Sequence, residues 1–138
     1  MEVDSQPQYT YDLFVIGGGS GGISAARFAA NAGKKVAVAD FVKPTPQGTT
    51  WGLGGTCVNV GCIPKKMMHY AALLAESRQD QDLSGWSPDM EAKHDWSKMV
   101  GNVQKHIKGL NWGYKTDLIK MKAKYYNSYA TFVDPHTI

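Results

Sequence analysis

The chain has 138 residues, 43% of them hydrophobic and 20% charged, which excludes a disordered or collagen-like polypeptide and leaves room for one ordinary domain. No apolar run approaches the roughly 20 residues needed to cross a bilayer. The net charge of +3 comes from 15 basic and 12 acidic residues. The basic residues are scattered, densest over Lys115, Lys120, Lys122 and Lys124, so neither a nucleic-acid nor a membrane partner is expected.

Met1 to Thr10 is polar and carries Glu2 and Asp4. It reads as a flexible N-terminus with no secretory or transit signature, so cytoplasmic residence is expected, or mitochondrial residence if a targeting segment precedes it. Tyr11 to Ile16 (YDLFVI) reads as a buried strand stopped by glycine. Gly17-Gly18-Gly19-Ser20-Gly21-Gly22 follows at once, then a helix over about Ser20 to Asn31, with Gly33 placed as its C-terminal cap. Lys35 to Asp40 (KVAVAD) is a second apolar strand. Together these form a βαβ unit, whose crossover is right-handed in nearly all cases.

Phe41 to Gly55 is irregular, with Pro44, Pro46 and Trp51 among glycines. A helix is expected from Thr56 or Cys57 to about Gln79, then a polar loop over Gln79 to Lys93 containing Pro88. A second long helix begins near Asp95, its expected cap, with Trp96, Met99, Val100, Val103, Ile107 and Leu110 at helical spacing. Gly101, Gly109 and Gly113 weaken it, so a break near Asn111 is expected. Lys124 to Val133 alternates as a β-hairpin turning near Asn127 would.

Gly17-x-Gly19-x-x-Gly22 has dinucleotide-binding spacing: a tight turn, close backbone approach to a pyrophosphate, and close helix–strand contact. Amides at the helix start then face the phosphates. Asp40 ends the second strand 18 residues beyond Gly22, where a carboxylate takes ribose hydroxyls and repels a 2′-phosphate. The competing reading is a plain tight turn with an ordinary strand-ending Asp; the flanking strand, helix and strand favour the first.

Cys57 and Cys62 are separated by four residues at the start of a helix. The dipole there and the nearby Lys65 are expected to lower a thiol pKa. Gly61 allows a tight turn, and Pro64 suits a first helical turn. A redox dithiol, a structural disulfide and half a zinc site all use such spacing. No second ligand pair completes a zinc site, so no metal is expected.

The run Gly54-Gly55-Thr56-Cys57-Val58-Asn59-Val60-Gly61-Cys62-Ile63-Pro64-Lys65-Lys66 resembles the redox-active signature of the FAD-dependent pyridine nucleotide-disulfide oxidoreductases. Asp40 to Leu53 and Val103 to Tyr114 are similar to the high-molecular-weight thioredoxin reductases within that family; glutathione reductases are shorter between Asp40 and Gly54. The resemblance implies an α/β fold, the incomplete Rossmann-like FAD-binding domain of the family over residues 11–138. It implies FAD bound by this segment, and NADPH and dimerisation domains outside these 138 residues.

The resemblance further implies that Cys57 is the interchange thiol, that Cys62 faces the flavin and forms the charge-transfer thiolate, and that Lys65 lies near the isoalloxazine edge. FAD contacts are implied for Gly17, Gly18, Gly19, Ser20, Gly21, Gly22, Asp40, Phe41, Gly55, Thr56, Gly61 and the two cysteines, with Tyr129 and Ala130 at the adenosine part. Trp112 and Tyr114 match aromatics near the redox tail of the partner subunit, or else are packing aromatics at a helix break. The implied activity is NADPH-dependent reduction of thioredoxin or a similar disulfide by a homodimer, with this chain alone inactive. A glutathione reductase segment, or a truncated product that only binds a dinucleotide or a partner, are the alternatives. The family's histidine base lies in a distant segment, so His69, His94, His106 and His136 read as surface or packing residues. Met67, Met68, Met99 and Met121 read as core or helix-face residues.

Overall fold

The computed structural model describes residues 9–87, 89 and 91–138. Most of the expected flexible N-terminus, and Pro88 of the polar loop, lie outside the described residues. Strand β1 (Leu13–Ile16), helix α1 (Ser20–Asn31) and strand β2 (Val36–Ala39) form the expected βαβ unit, with Leu13 paired to Val36 and Ile16 to Ala39 in a parallel ladder. The small face of α1 buries Ile23 and Ala26 against Val36 and Val38. A chain reversal ends α1: Gly33, at φ 77°, donates to Ala30 O, and Lys34 donates to Ala29 O, the paired bonds of a Schellman cap.

The helix expected from Thr56 onward is two helices. Helix α2 covers Gly55–Asn59 and helix α3 covers Cys62–Leu83, with Val60 and Gly61 between them. Gly61 has φ −118° and ψ −112°, outside the helical region, and this breaks the helix between the cysteines. Helix α3 also runs four residues further than expected, into the polar stretch before Ser84.

Helix α4 (Trp96–Lys120) starts where expected, with the Asp95 carboxylate accepting from Lys98 N at 2.9 Å. The expected break near Asn111 is absent. Val103, Ile107 and Leu118 are buried on one face, and that packing outweighs the weak propensity of the three glycines. Two hydrophobic clusters result. One packs α1 and β2 with Leu53, Leu118 and Ala123; the other packs Val58 with Val103 and Ile107, and Tyr114 lies against both. Met121 packs on the first and Met67 on the second, while Met68 is exposed.

The tail corrects the hairpin expectation. Strand β3 (Lys124–Tyr126) joins the sheet parallel to β2, giving three strands in the order β1-β2-β3. Helix α4 delivers the chain back to the start of the sheet, so β3 runs in the direction of its neighbour. A reversal does occur, but at Asp134 and Thr137, which form an isolated antiparallel bridge, and not at Asn127.

The turn that feeds β3 places Lys122 at φ 59°. Ala123 donates to Leu118 O and Lys122 to Ile119 O, both at 2.9 Å, so Lys122 occupies the position that favours glycine in a Schellman cap. The left-handed conformation costs a side-chain-bearing residue about 1–2 kcal/mol, and glycine returns about 0.5–1 kcal/mol of that as unfolded-state entropy. Lys122→Gly is therefore expected to stabilise the fold by about 0.5–1 kcal/mol, read as a raised urea midpoint with an unchanged slope.

Candidate functional site

Three segments converge at the carboxyl ends of β1 and β2. The first is the glycine turn. Gly17 has φ 103° and donates to Ala39 O at 2.7 Å, which ties the turn to β2. A Cβ on Gly22 would collide with Gly17 O, so this glycine allows α1 to start against the turn. The N-cap of α1 is Gly19, which offers no side-chain hydrogen bond. The first intrahelical bond is donated by Ile23 to Gly19 O, so the amides of Ser20, Gly21 and Gly22 have no partner within the helix.

The second segment is the end of β2. Asp40 accepts from Gly18 N at 3.0 Å and its own amide donates to Tyr126 O at 3.0 Å. The carboxylate therefore stands beside the glycine turn, as the spacing predicts. Its charge and burial both push the Tyr125 hydroxyl pKa up, burial being the larger cause. Phe41 is exposed next to it.

The third segment is Gly52 to Gly61. Gly55 has φ 72° and sits so close to Gly19 that a Cβ there would lie 2.7 Å from Gly19 Cα. Leu53, buried, covers Gly18, where a Cβ would run into its side chain. This close approach sets the dithiol segment directly against the glycine turn. Thr56 is exposed, Cys57 is partly buried and Cys62 is exposed at the first position of α3. Gly61 packs on Cys57, since a Cβ there would lie 3.2 Å from Cys57 Cα and 2.9 Å from Thr56 O.

The electrostatics of the pair differ from the expectation. The Cys57 thiol pKa is raised, chiefly by its hydrogen bond with Cys62 and then by burial and by the charge of Cys62. The Cys62 backbone and the Lys65 ammonium act in the expected lowering direction but are outweighed. A proton shared between two sulfurs, and the charge of the neighbouring sulfur, both oppose ionisation of Cys57, and the Lys65 ammonium does not reverse that.

Tyr129 and Ala130 lie further off. They line a cleft of about 390 Å³ with Phe14, Ala39 and Tyr126, and its lining includes neither Asp40 nor the glycine turn. Trp112 is exposed, whereas Tyr114 packs in the core near Gly54, so the two aromatics separate into a surface and a packing residue. His69, His94, His106 and His136 are all exposed; His94 packs edge-on to Trp96 and His136 stacks on Tyr9. Among the described residues no cluster of three metal-ligating side chains occurs.

Two residues at the site carried no expectation. Asn59, between the cysteines, and Asn111, on α4, meet at 3.1 Å beneath the dithiol segment. A polar amide in the middle of an otherwise apolar stretch, Val58-Asn59-Val60, was the available signal.

A glycine turn at a strand–helix junction, a carboxylate hydrogen-bonded to it and a two-cysteine segment set against it make up one site in a partial Rossmann-like α/β domain. Residues 11–137 match the family described as pyridine nucleotide-disulphide oxidoreductase, and the chain belongs to that family. It is 66% identical over 128 residues to thioredoxin reductase SEP1 of Emiliania huxleyi, an alignment covering 93% of this chain and 26% of that protein. The chain thus spans about a quarter of the length of that relative and has the fold of an N-terminal FAD-binding portion.

The raised Cys57 pKa gives a direct check. In the reduced chain, alkylation of Cys57 by iodoacetamide is expected to rise with a pH midpoint above that of free cysteine. Cys62→Ala removes the hydrogen bond, leaving Lys65 to act, and the midpoint should move down. Site-resolved mass spectrometry across pH 6 to 10 reads both.

Proposed function

We propose that this chain is the FAD-binding, disulfide-bearing segment of an NADPH-dependent thioredoxin-disulfide reductase. The observation that supports this most is the Gly19–Gly55 approach, which sets Cys57 and Cys62 beside the turn that would take a dinucleotide phosphate. The unpartnered amides of Ser20, Gly21 and Gly22 suit phosphate oxygens, the glycines leave the space a backbone-hugging pyrophosphate needs, and Asp40 suits ribose hydroxyls. These residues fit FAD. When bound, FAD supplies the two-electron couple that returns the Cys57–Cys62 disulfide to the dithiol, with NADPH as the electron source in the domain beyond this segment.

The protein's own part is thiol–disulfide exchange. Cys57, as thiolate, attacks one sulfur of a substrate disulfide; a mixed disulfide forms and the other substrate sulfur leaves as thiolate, taking a proton. Cys62 then attacks the Cys57 sulfur, which closes the Cys57–Cys62 disulfide and releases the substrate as dithiol. Two electrons pass from the cysteine pair to the substrate. Lys65 steadies negative charge at this site, as its lowering influence on Cys57 indicates. Thioredoxin is the favoured substrate because the relative is a thioredoxin reductase. A homodimer and cytoplasmic residence complete the reading.

Two measurements test it. Thiol counting with and without reductant should show one reversible intramolecular disulfide; sulfurs that hold zinc and resist oxidation would sink the redox assignment. FAD titrated into the chain should quench its fluorescence, and Asp40→Asn should weaken binding by about tenfold, the loss of one charged hydrogen bond of about 1.5 kcal/mol. Equal affinity of the two proteins for FAD would remove Asp40 from the site.

A further inference from the structure

Asn59 is the buried polar side chain among the described residues, 7% exposed, and it stands between the two cysteines. All four of its hydrogen-bonding capacities are used. Its amide donates to Gly52 O at 2.9 Å and Gly55 O at 2.8 Å, and its carbonyl accepts from Gly52 N at 3.0 Å and from Asn111 Nδ2 at 3.1 Å. Asn111 also donates to Leu53 O at 2.8 Å, and its side chain fills the space a Cβ on Gly52 would need. One amide pair therefore fastens the Gly52–Gly55 loop, the end of α2 and the middle of α4 to one another.

Helix α2 has five residues, far below the roughly 12 at which a helix persists in water by itself. Its position, and with it that of Cys57, depends on what holds it from outside. Val58 packs into the second cluster, but an apolar contact tolerates sliding and rotation. The amide pair fixes direction as well as distance, because each of its bonds needs a particular backbone group in line.

A disulfide forms only when the two Cα atoms stand about 4.4–6.8 Å apart with suitable side-chain directions. A reduced segment already held near that geometry loses less freedom on closing the bond, so its disulfide is favoured. Resting on the reading of Cys57 and Cys62 as a reversible redox pair, we propose that Asn59 and Asn111 are positioning residues that set the dithiol–disulfide equilibrium of that pair. Without them the reduced α2 samples separations too long for closure, and the equilibrium moves toward the dithiol.

The test is equilibration of the 138-residue chain with glutathione redox buffers at pH 7, acid quenching, and quantitation of the Cys57–Cys62 disulfide by mass. Asn59→Ala should shift the equilibrium constant toward dithiol by about tenfold, equivalent to about 30 mV for this two-electron couple. Asn111→Ala, which leaves Asn59 three of its bonds, should shift it about threefold in the same direction, the size of a net hydrogen bond of under 1 kcal/mol. Leu118→Ala is the control: it weakens the sheet core without removing a bond of the amide pair, and should leave the constant within about twofold of the parent, since no net hydrogen bond at the dithiol is lost. Where Asn59→Ala does not fold, Asn111→Ala decides. Asparagine variants with the parent equilibrium, or a Leu118→Ala shift as large as theirs, would overturn the inference while leaving the redox pair intact. A parent chain that forms no intramolecular disulfide would overturn the redox reading and this inference with it.

Discussion

The architecture depends on two stretches of backbone meeting where neither has a side chain. Gly19, at the start of α1, and Gly55, at the start of α2, approach so closely that a methyl group on Gly55 would strike Gly19 Cα at 2.7 Å. Gly55 also holds φ 72°, a conformation other residues adopt only at a cost. A larger residue at Gly55 would push the two-cysteine segment off the glycine turn. The contact brings the glycine turn and the two-cysteine segment into one place, although the two belong to different hydrophobic clusters.

Backbone contact alone does not hold that arrangement. Leu53 closes over Gly18 from the sheet-side core, and Val58 anchors α2 in the helical core. Helix α4 serves both: Leu118 belongs to the first cluster, Val103 and Ile107 to the second, and Tyr114 touches each. Continuity of α4 through its glycines is thus a structural requirement. A break near Asn111 would separate the cores and carry away the amide that reaches Leu53 O and Asn59.

The elements that the sequence made legible are those whose determinants are local. A β-branched run stopped by glycine is a strand wherever it packs, and Gly17-x-Gly19-x-x-Gly22 followed by Asp40 specifies a turn, a helix start and a carboxylate beside them. Asp95 capping α4 and Gly33 capping α1 are equally local. The misread elements are settled by distant partners. Lys124 to Tyr126 could pair with a following segment or with β2, and only the path of α4 decides between them. The glycines of α4 lower its propensity, yet its buried stripe outweighs them. Asn59 and Asn111 lie 52 positions apart in the chain, so neither announces the other.

The thiol pKa shows the same division at the level of chemistry. Lys65 and the start of α3 are visible in sequence and favour a thiolate; the hydrogen bond between the two sulfurs is a matter of geometry, and it wins at Cys57. The raised pKa of Cys57 means that this thiol ionises less readily than an isolated cysteine, and thiolate is the attacking species. Exchange with a substrate then calls for a base to take the proton as attack begins. Among the described residues no histidine hydrogen-bonds either cysteine, and all four are exposed. On the proposed function, the Cys57 thiol therefore needs a proton acceptor that its own contacts do not supply.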